Sequence, residues 1–332
     1  NDIFVYENGM AVSTCTWTGS AGTNWDNPAN WSSNFIPTKM DLVIIPDVEN
    51  NPIVAGGVVE VASLTIESNG SLSVSTATFH ADDVLIQANG LLTVDGSTLV
   101  SNNLEIEASA ELNMTDAVLT MADDDGYLTN YGDLYAHNDS QDGLINGTVD
   151  AAGTFINYGT IHIDGVFALN IEIPFNNQGA IEATGGEILI DEGSTLSGSG
   201  SLTGDLVNAG TVIPGESPGI LTIDGDYTQQ STGALEIELG GTEAGTGYDQ
   251  LVVTGSAILG GTLNVSLLPG FEPQVDQVLN IITYGTGTYE FDTENLPELT
   301  GGLKLEIAYS DPGVTLTVIS DNSYIYLPLI TR

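Results

Sequence analysis

A repeat of twenty residues constrains the fold of this chain more than any other feature of its sequence. Residues 64–74 read LTIESNGSLSV, residues 84–94 read VLIQANGLLTV, and residues 104–114 read LEIEASAELNM. Within each copy the apolar residues lie two apart, which is the period of a β-strand. In the first two copies an Asn-Gly pair between them is a turn signal, because Gly readily takes a positive φ. Each copy therefore predicts short strands separated by corners, as in one coil of a β-solenoid.

The constant spacing of the repeat places like residues above one another in successive coils. The expected core columns are Leu64/Val84/Leu104, Ile66/Ile86/Ile106, Leu72/Leu92/Leu112 and Val74/Val94/Met114. A second pattern follows, in which an Asn precedes a Gly by two residues, at Asn130, Asn157, Asn177 and Asn208. We expect the side-chain amides of these asparagines to bond from coil to coil as a ladder.

These patterns predict an all-β protein: a right-handed parallel β-helix (β-solenoid) with roughly 20-residue coils, a further β-rich C-terminal region and strand-like termini. The predicted segments are an N-terminal strand at 1–16, a Trp-rich cap at 17–57, the solenoid at 58–215, the β-rich region at 216–320 and a C-terminal strand at 321–332. For residues 216–320 the sequence leaves two alternatives, a continued solenoid or a sandwich cap.

The charge balance excludes several classes of partner. Forty-five Asp and Glu face three Lys and Arg, which gives a formal charge of −42. Because affinity for nucleic acids and for anionic membranes depends on Lys and Arg, we expect neither partner. No apolar run approaches the length of a membrane helix, so no transmembrane segment is predicted. The chain begins at Asn1 without a signal sequence, which we interpret as a secreted, mature chain located outside the cell or on its surface.

Two segments resemble bacterial surface proteins. Residues 211–267, which include TVIPGESPGILTIDGDYTQ and YDQLVVTG, resemble the repeat-associated region of autotransporter passengers and related adhesin-like β-helix proteins. Residues 17–52, with Trp17, Trp25 and Trp31, resemble the segment that opens many secreted bacterial β-solenoids. The resemblance implies a β-helix at the cell surface and implies no particular activity.

We expect this chain not to be an enzyme; a polysaccharide-active enzyme is the third alternative, after a structural protein and an adhesin. Polysaccharide lyases with a similar fold resemble one another in using Arg or Lys to neutralise or deprotonate the uronate. Neither residue type occurs between Lys39 and Lys304. Carboxylate pairs can hydrolyse glycosides, but among 45 acids no pair stands out. His80, His137 and His162 fall at unrelated phases of the repeat, so no metal cluster is expected from them.

One acidic cluster is a candidate metal site. Asp123, Asp124 and Asp125 precede Gly126, and Ca²⁺ binds through several carboxylate and carbonyl oxygens. The alternative is a solvated loop, since the cluster lacks the alternating spacing of an EF-hand. No cofactor is required by the sequence, and Ca²⁺ is the one ion it suggests.

Both ends of the chain carry a separable apolar strand. Because the open ends of a solenoid expose backbone N–H and C=O groups, such strands either cap their own coil or add to a neighbouring copy. We expect a structural protein that forms a head-to-tail homopolymer, and the alternative is an adhesin that binds a glycan or a cell-surface protein along the solenoid face. The residues expected to make the assembly contact are Ile3, Phe4, Val5, Tyr6, Tyr324, Ile325, Tyr326, Leu327, Leu329 and Ile330.

Overall fold

The structure is a computed structural model that describes residues 5–7, 10–122, 125–140, 143–147, 153–215, 218–288 and 290–321. In these ranges all regular structure is β-strand, apart from one 3₁₀ turn at Pro28–Asn30. The chain divides into two compact units: unit 1 is Asn1–Leu196 with Gly200–Val207, and unit 2 is Ser197–Ser199 with Asn208–Arg332.

The strands are short and follow one another at close intervals. The first twelve are β1 (Val5–Glu7), β2 (Met10–Val12), β3 (Thr14–Thr16), β4 (Leu42–Ile45), β5 (Ile53–Ile66), β6 (Ser71–Ile86), β7 (Leu91–Asp95), β8 (Thr98–Ile106), β9 (Glu111–Thr115), β10 (Val118–Met121), β11 (Tyr127–Asn130) and β12 (Asp133–Asn138). The next eleven are β13 (Gly143–Gly147), β14 (Thr154–Asn157), β15 (Thr160–Gly165), β16 (Leu169–Ile171), β17 (Phe175–Asn177), β18 (Ala180–Ala183), β19 (Ile188–Ile190), β20 (Thr195–Ser197), β21 (Ser201–Thr203), β22 (Leu206–Asn208) and β23 (Thr211–Val212). The last eleven are β24 (Ile220–Asp224), β25 (Tyr227–Gln229), β26 (Ala234–Leu239), β27 (Gln250–Val253), β28 (Ser256–Ile258), β29 (Thr262–Leu267), β30 (Val278–Thr283), β31 (Thr286–Thr288), β32 (Thr293–Asn295), β33 (Leu303–Ser310) and β34 (Gly313–Ser320).

Unit 1 is built from parallel ladders in which each coil lies on the previous one. Leu64 pairs with Val84, and Val84 pairs with Leu104, as the repeat predicts. A second ladder aligns Leu72, Leu92, Leu112, Leu134, Ile161, Ile181 and Leu202. A third aligns Phe79, Leu99, Leu119, Ile145, Ile171 and Ile190. All of these side chains are buried, so the predicted β-solenoid of stacked apolar columns is confirmed.

The two sequence patterns of unit 1 belong to one continuous column. The column runs through Ile45, Ile66, Ile86 and Ile106, and Ile106 then pairs with Asn130. From Asn130 it continues through Asn157 and Asn177. An insertion lengthens the coil between Ile106 and Asn130, so the shared position is hidden in the sequence.

A cluster of tryptophans closes the start of the core in unit 1. Trp17 and Trp25 each meet Trp31 edge to face, with ring centroids 4.9 Å and 4.7 Å apart. Trp25 also meets Phe79 of the third ladder at 5.5 Å. Because the indole nitrogens of Trp17 and Trp31 donate to backbone oxygens, the rings are buried without an unpaired N–H.

Unit 2 also contains parallel ladders, with longer coils. Leu221 pairs with Leu251 and Tyr227 pairs with Ala257, in each case thirty residues further along the chain. The last coil is followed by an antiparallel hairpin, in which β34 lies between β30 and β33. Within this unit the β-rich region thus stacks as solenoid coils and ends in a hairpin.

Candidate functional site

The N-terminal strand pairs within its own chain. Val5, Tyr6 and Glu7 of β1 lie opposite Val12, Ala11 and Met10 of β2, in an antiparallel sheet of two strands. Ile3 and Phe4 lie outside the described residues, as do the side chains of Val5 and Tyr6. The strand expected at 3–6 thus lies at 5–7 in the described part of the chain.

The C-terminal assembly residues follow directly after the hairpin of unit 2. The segment Tyr324, Ile325, Tyr326, Leu327, Leu329 and Ile330 lies outside the described residues. Its point of departure is well defined, because β34 ends at Ser320 and the N–H of Asp321 donates to the backbone oxygen of Gly302 at 2.7 Å. The chain therefore leaves the hairpin beside the first residues of β33.

The outer strand of this hairpin has an open edge. β33 pairs with β34 along its whole length and with no other strand among the described residues. The hairpin is held to the last coil by Tyr309, whose hydroxyl donates to Glu294 Oε1 at 2.6 Å. Burial, followed by this hydrogen bond to Glu294, raises the pKa of the Tyr309 hydroxyl. In the described structure the outer edge of these eight residues therefore has no strand partner.

A groove lined by leucines together with polar and charged side chains lies at the base of this hairpin. It consists of two adjoining cavities of about 420 and 320 Å³ that share Glu298, Leu299 and Leu303. Phe271, Leu299 and Leu303 are half-buried, and the side chain of Asp321 lines one end. We call this surface the leucine groove, and its apolar lining consists mainly of Leu267, Phe271, Pro273, Leu296, Leu299 and Leu303.

Unit 1 carries exposed aromatic side chains beside the asparagine corner. The rings of Tyr131 and Tyr158 stack at 5.1 Å and are 46% and 49% exposed. Tyr135 stacks on His162 at 4.4 Å, and Asp133 and Glu182 flank that imidazole at 3.3 and 3.4 Å. The sequence contains the signal for the tyrosine stack, the recurrent Asn-Tyr-Gly, but the stack itself was not predicted.

His137 and His162 lie on neighbouring strands at different positions of the coil. His162 pairs with Tyr135, whereas His137, two residues further along β12, pairs with Asp164. The register of these two histidines therefore differs by two residues. Hydrogen bonds to Asp164 at 2.6 Å and to Asp139 at 3.0 Å raise the pKa of His137.

The acidic cluster proposed for Ca²⁺ lies at the edge of the described structure. Asp123 and Asp124 lie outside the described residues, and Asp125 is exposed. Within the described part of the chain no three His, Cys, Asp or Glu side chains converge as metal ligands. The calcium site at residues 123–125 stays a prediction.

A buried carboxylate in unit 2 was missed by sequence reasoning. Asp249 has no exposed surface, and its oxygens accept the N–H groups of Gly219 at 2.7 Å and Glu238 at 2.8 Å. Burial raises the pKa of this carboxyl to about 6, against the opposing effect of the two hydrogen bonds. Because the group has no contact with solvent, it positions backbone and is not available to a substrate.

Comparison with known proteins gives a partial match. A family model for a domain of unknown function (DUF8693) matches residues 16–141, which include the tryptophan cluster and the first solenoid coils. A comparison with curated proteins finds no similar sequence. In the part of the chain that the structure describes, no helix has the length and apolar character needed to cross a membrane.

Proposed function

We propose that this protein is a non-catalytic extracellular structural protein, a subunit of a self-assembling filament, sheath or surface layer joined by addition of a terminal strand. The observation that carries the proposal is the position of the C-terminal segment. The apolar residues 324–330 follow closely after β34, which ends at Ser320, and the neighbouring strand β33 has an open outer edge in the described structure.

An added strand solves a physical problem at such an edge. Unpaired backbone groups of an edge strand readily bind another chain, and an apolar strand adds side-chain burial to the hydrogen bonds. The formal charge of −42 opposes sideways clumping, while a strand contact acts over short range. Assembly through an end segment therefore suits a chain that otherwise repels its own copies.

The C-terminal segment is the better donor of the two. β1 already pairs with β2 in its own chain, so its backbone bonds are satisfied there on one side. Residues 322–332 contain no acidic residue and end with Arg332. The resemblance of residues 211–267 to autotransporter passengers supports the extracellular location.

The proposal is tested by comparing the full chain with two variants. One lacks residues 322–332, and the other keeps the full length but replaces 324–330 by Ser, Gly and Asn. We expect the full chain to form multimers in light scattering and ordered assemblies in electron microscopy, and both variants to remain monomeric. A truncated chain that assembles normally would contradict the role of the C-terminal segment.

A second candidate function, an adhesin that binds a glycan, is favoured by the exposed tyrosines of unit 1. Aromatic rings beside carboxylates suit a sugar, which offers apolar C–H faces and hydroxyl donors. We expect chitohexaose or cellohexaose to shift the NMR signals of Tyr131 and Tyr158. The variant Tyr158→Ala should lose that binding and Phe35→Ala, at a similarly exposed ring, should keep it.

A further inference from the structure

The leucine groove presents several apolar side chains together, on a chain with a formal charge of −42. Leu267, Leu299 and Leu303 are half-buried, so each presents part of its side chain to the groove. A half-exposed leucine loses part of the free energy that full burial gives, roughly 25 cal/mol for each Å² left in water. A groove lined by several such residues gains most from an apolar occupant.

The chain itself supplies a segment that matches this groove. Residues 324–330 read YIYLPLI, and residues 322–332 carry no acid and one cation, Arg332. The exposed Glu272, Glu298 and Lys304 line the groove, whereas residues 324–330 carry no charge. In a chain with 45 Asp and Glu, a segment without acids avoids repulsion by the carboxylates around the groove.

The place where the described chain ends also points to the groove. Asp321 lines the groove, and its N–H is bonded to Gly302, so the chain departs at the groove itself. Seven extended residues span about 23 Å, which is enough to pass through both cavities. Pro328 has no N–H, so in an added strand it must lie where that side faces away from the ladder, and the flanking Leu327 and Leu329 supply side chains to the groove.

We infer that the leucine groove is the acceptor for residues 324–330 of a second copy, an inference that rests on the proposed function. Asn322 and Ser323 are the only residues between the fixed Asp321 and the apolar segment. Short hinges favour exchange between copies, because the chain must otherwise turn back sharply onto its own surface. The segment therefore crosses to a neighbour.

The contact is directional. The donated segment and the acceptor groove are different surfaces of one copy, so each copy gives its segment to one neighbour and accepts the segment of another. Such a contact is heterologous, and it forms an open filament unless the rotation between copies closes a ring. The C-terminal contact is therefore sufficient for the head-to-tail assembly proposed above.

Cysteine cross-linking distinguishes the possible occupants of the groove. In a Cys15→Ala background, copies with Leu299→Cys are mixed with copies with Leu327→Cys and oxidised. We expect a disulfide-linked dimer on a non-reducing gel in the mixture, and none with either variant alone. The double variant Leu299→Cys/Leu327→Cys should run as a ladder of dimers and larger products. A monomer-sized disulfide product from the double variant, with no dimer in the mixture, would show that the groove holds its own segment and would overturn the inference.

A second measurement separates failure of the inference from failure of the proposed function. Leu299→Asp places a charge in the groove, and Val278→Asp makes the same kind of change at a 55% exposed position of the same unit. In sedimentation of the folded proteins, Leu299→Asp should weaken pairing roughly tenfold or more, and Val278→Asp should leave it unchanged. If removal of 322–332 abolishes association and Leu299→Asp does not, the groove is not the acceptor and the proposed function stands. A full chain that stays monomeric at high concentration refutes both.

Discussion

Asn130 donates a hydrogen bond from its side-chain nitrogen to the side-chain oxygen of Asn157, 2.8 Å away in the next coil. Asn157 donates in the same way to Asn177, also at 2.8 Å. The three side chains are buried, and each nitrogen also approaches a backbone oxygen of the following coil. The predicted ladder is confirmed for these three residues, and it places a satisfied polar network where earlier coils have isoleucine.

Replacing the middle member of this ladder should destabilise unit 1. Asn157→Ala removes the acceptor of the hydrogen bond from the Asn130 side-chain nitrogen and the donor of the hydrogen bond to the Asn177 side-chain oxygen. Each buried polar group that loses its partner costs about 1–3 kcal/mol, so we expect a loss of about 2–5 kcal/mol in the free energy of unfolding. Urea denaturation measures it. Asn176→Ala, at a half-buried neighbour that points outward, should cost less than about 1 kcal/mol, and equal losses for the two variants would argue against the ladder.

The isoleucine part of the same column gives a second prediction. Ile86 is fully buried between Ile66 and Ile106, so Ile86→Asp places an unpaired charge in the stack. We expect a loss of several kcal/mol, because neither a counter-ion nor water reaches the site. Thermal unfolding followed by circular dichroism shows the effect. Val58→Asp on β5, where the side chain is 69% exposed, is the control and should barely change the midpoint.

The sequence predicted the coils best where their length is constant. Leu64, Val84 and Leu104 are twenty residues apart and pair as expected, because a column of like side chains is visible at a fixed offset. Once insertions vary the coil length, a fixed offset of twenty residues no longer identifies the residue that pairs in the next coil. The switch from Ile106 to Asn130 and the stack of Tyr135 on His162 were missed for this reason.

A recurrent motif also misled the alignment of one coil. The Asn-x-Gly at residue 208 matches the motif of the ladder, yet Asn177 donates to the backbone oxygen of Ser201. Asn208 instead donates to the Tyr227 hydroxyl at 3.2 Å and to Ala234. The Asn-x-Gly motif predicts that the chain turns a corner of the coil. Only the pairing of strands shows which column of corners that residue joins. The leucine groove was also missed, since its residues come from three separate segments of the chain.

The large negative charge predicts that added salt stabilises the protein. Exposed carboxylates repel one another, and added ions screen this repulsion. At 0.1 M salt the Debye length is about 10 Å, so carboxylates further apart than this barely interact. We expect the melting temperature to rise with NaCl, and to rise further with millimolar CaCl₂ if residues 123–125 bind the ion. Asp124→Asn should remove the saturable part of the calcium effect. Asp26→Asn, at an exposed carboxylate in the cap region, should leave that part intact, and a melting temperature indifferent to both salts would refute the prediction.

The buried Asp249 predicts a pH dependence of opposite sign to that of an ordinary paired carboxylate. Its pKa is raised from 3.8 to about 6, so between these values the folded chain binds a proton that the unfolded chain releases. Stability contributed by this group therefore falls as pH rises from about 4 to 6. Above pH 6 the ionised group is a constant cost, which its two backbone N–H donors reduce but do not remove.

The Asp249→Asn variant isolates this contribution. An amide does not titrate, so the unfolding free energy of wild type minus that of Asp249→Asn should fall by about 2 kcal/mol between pH 4 and pH 7. Urea denaturation at pH 4, 5, 6 and 7 gives the difference, and subtraction cancels the titration of the other carboxylates. Asp276→Asn, at an exposed carboxyl, should give a flat difference. A difference for Asp249→Asn that is flat or rises with pH would show that the carboxyl is ionised throughout in the folded chain, with the hydrogen bonds from Gly219 and Glu238 outweighing burial.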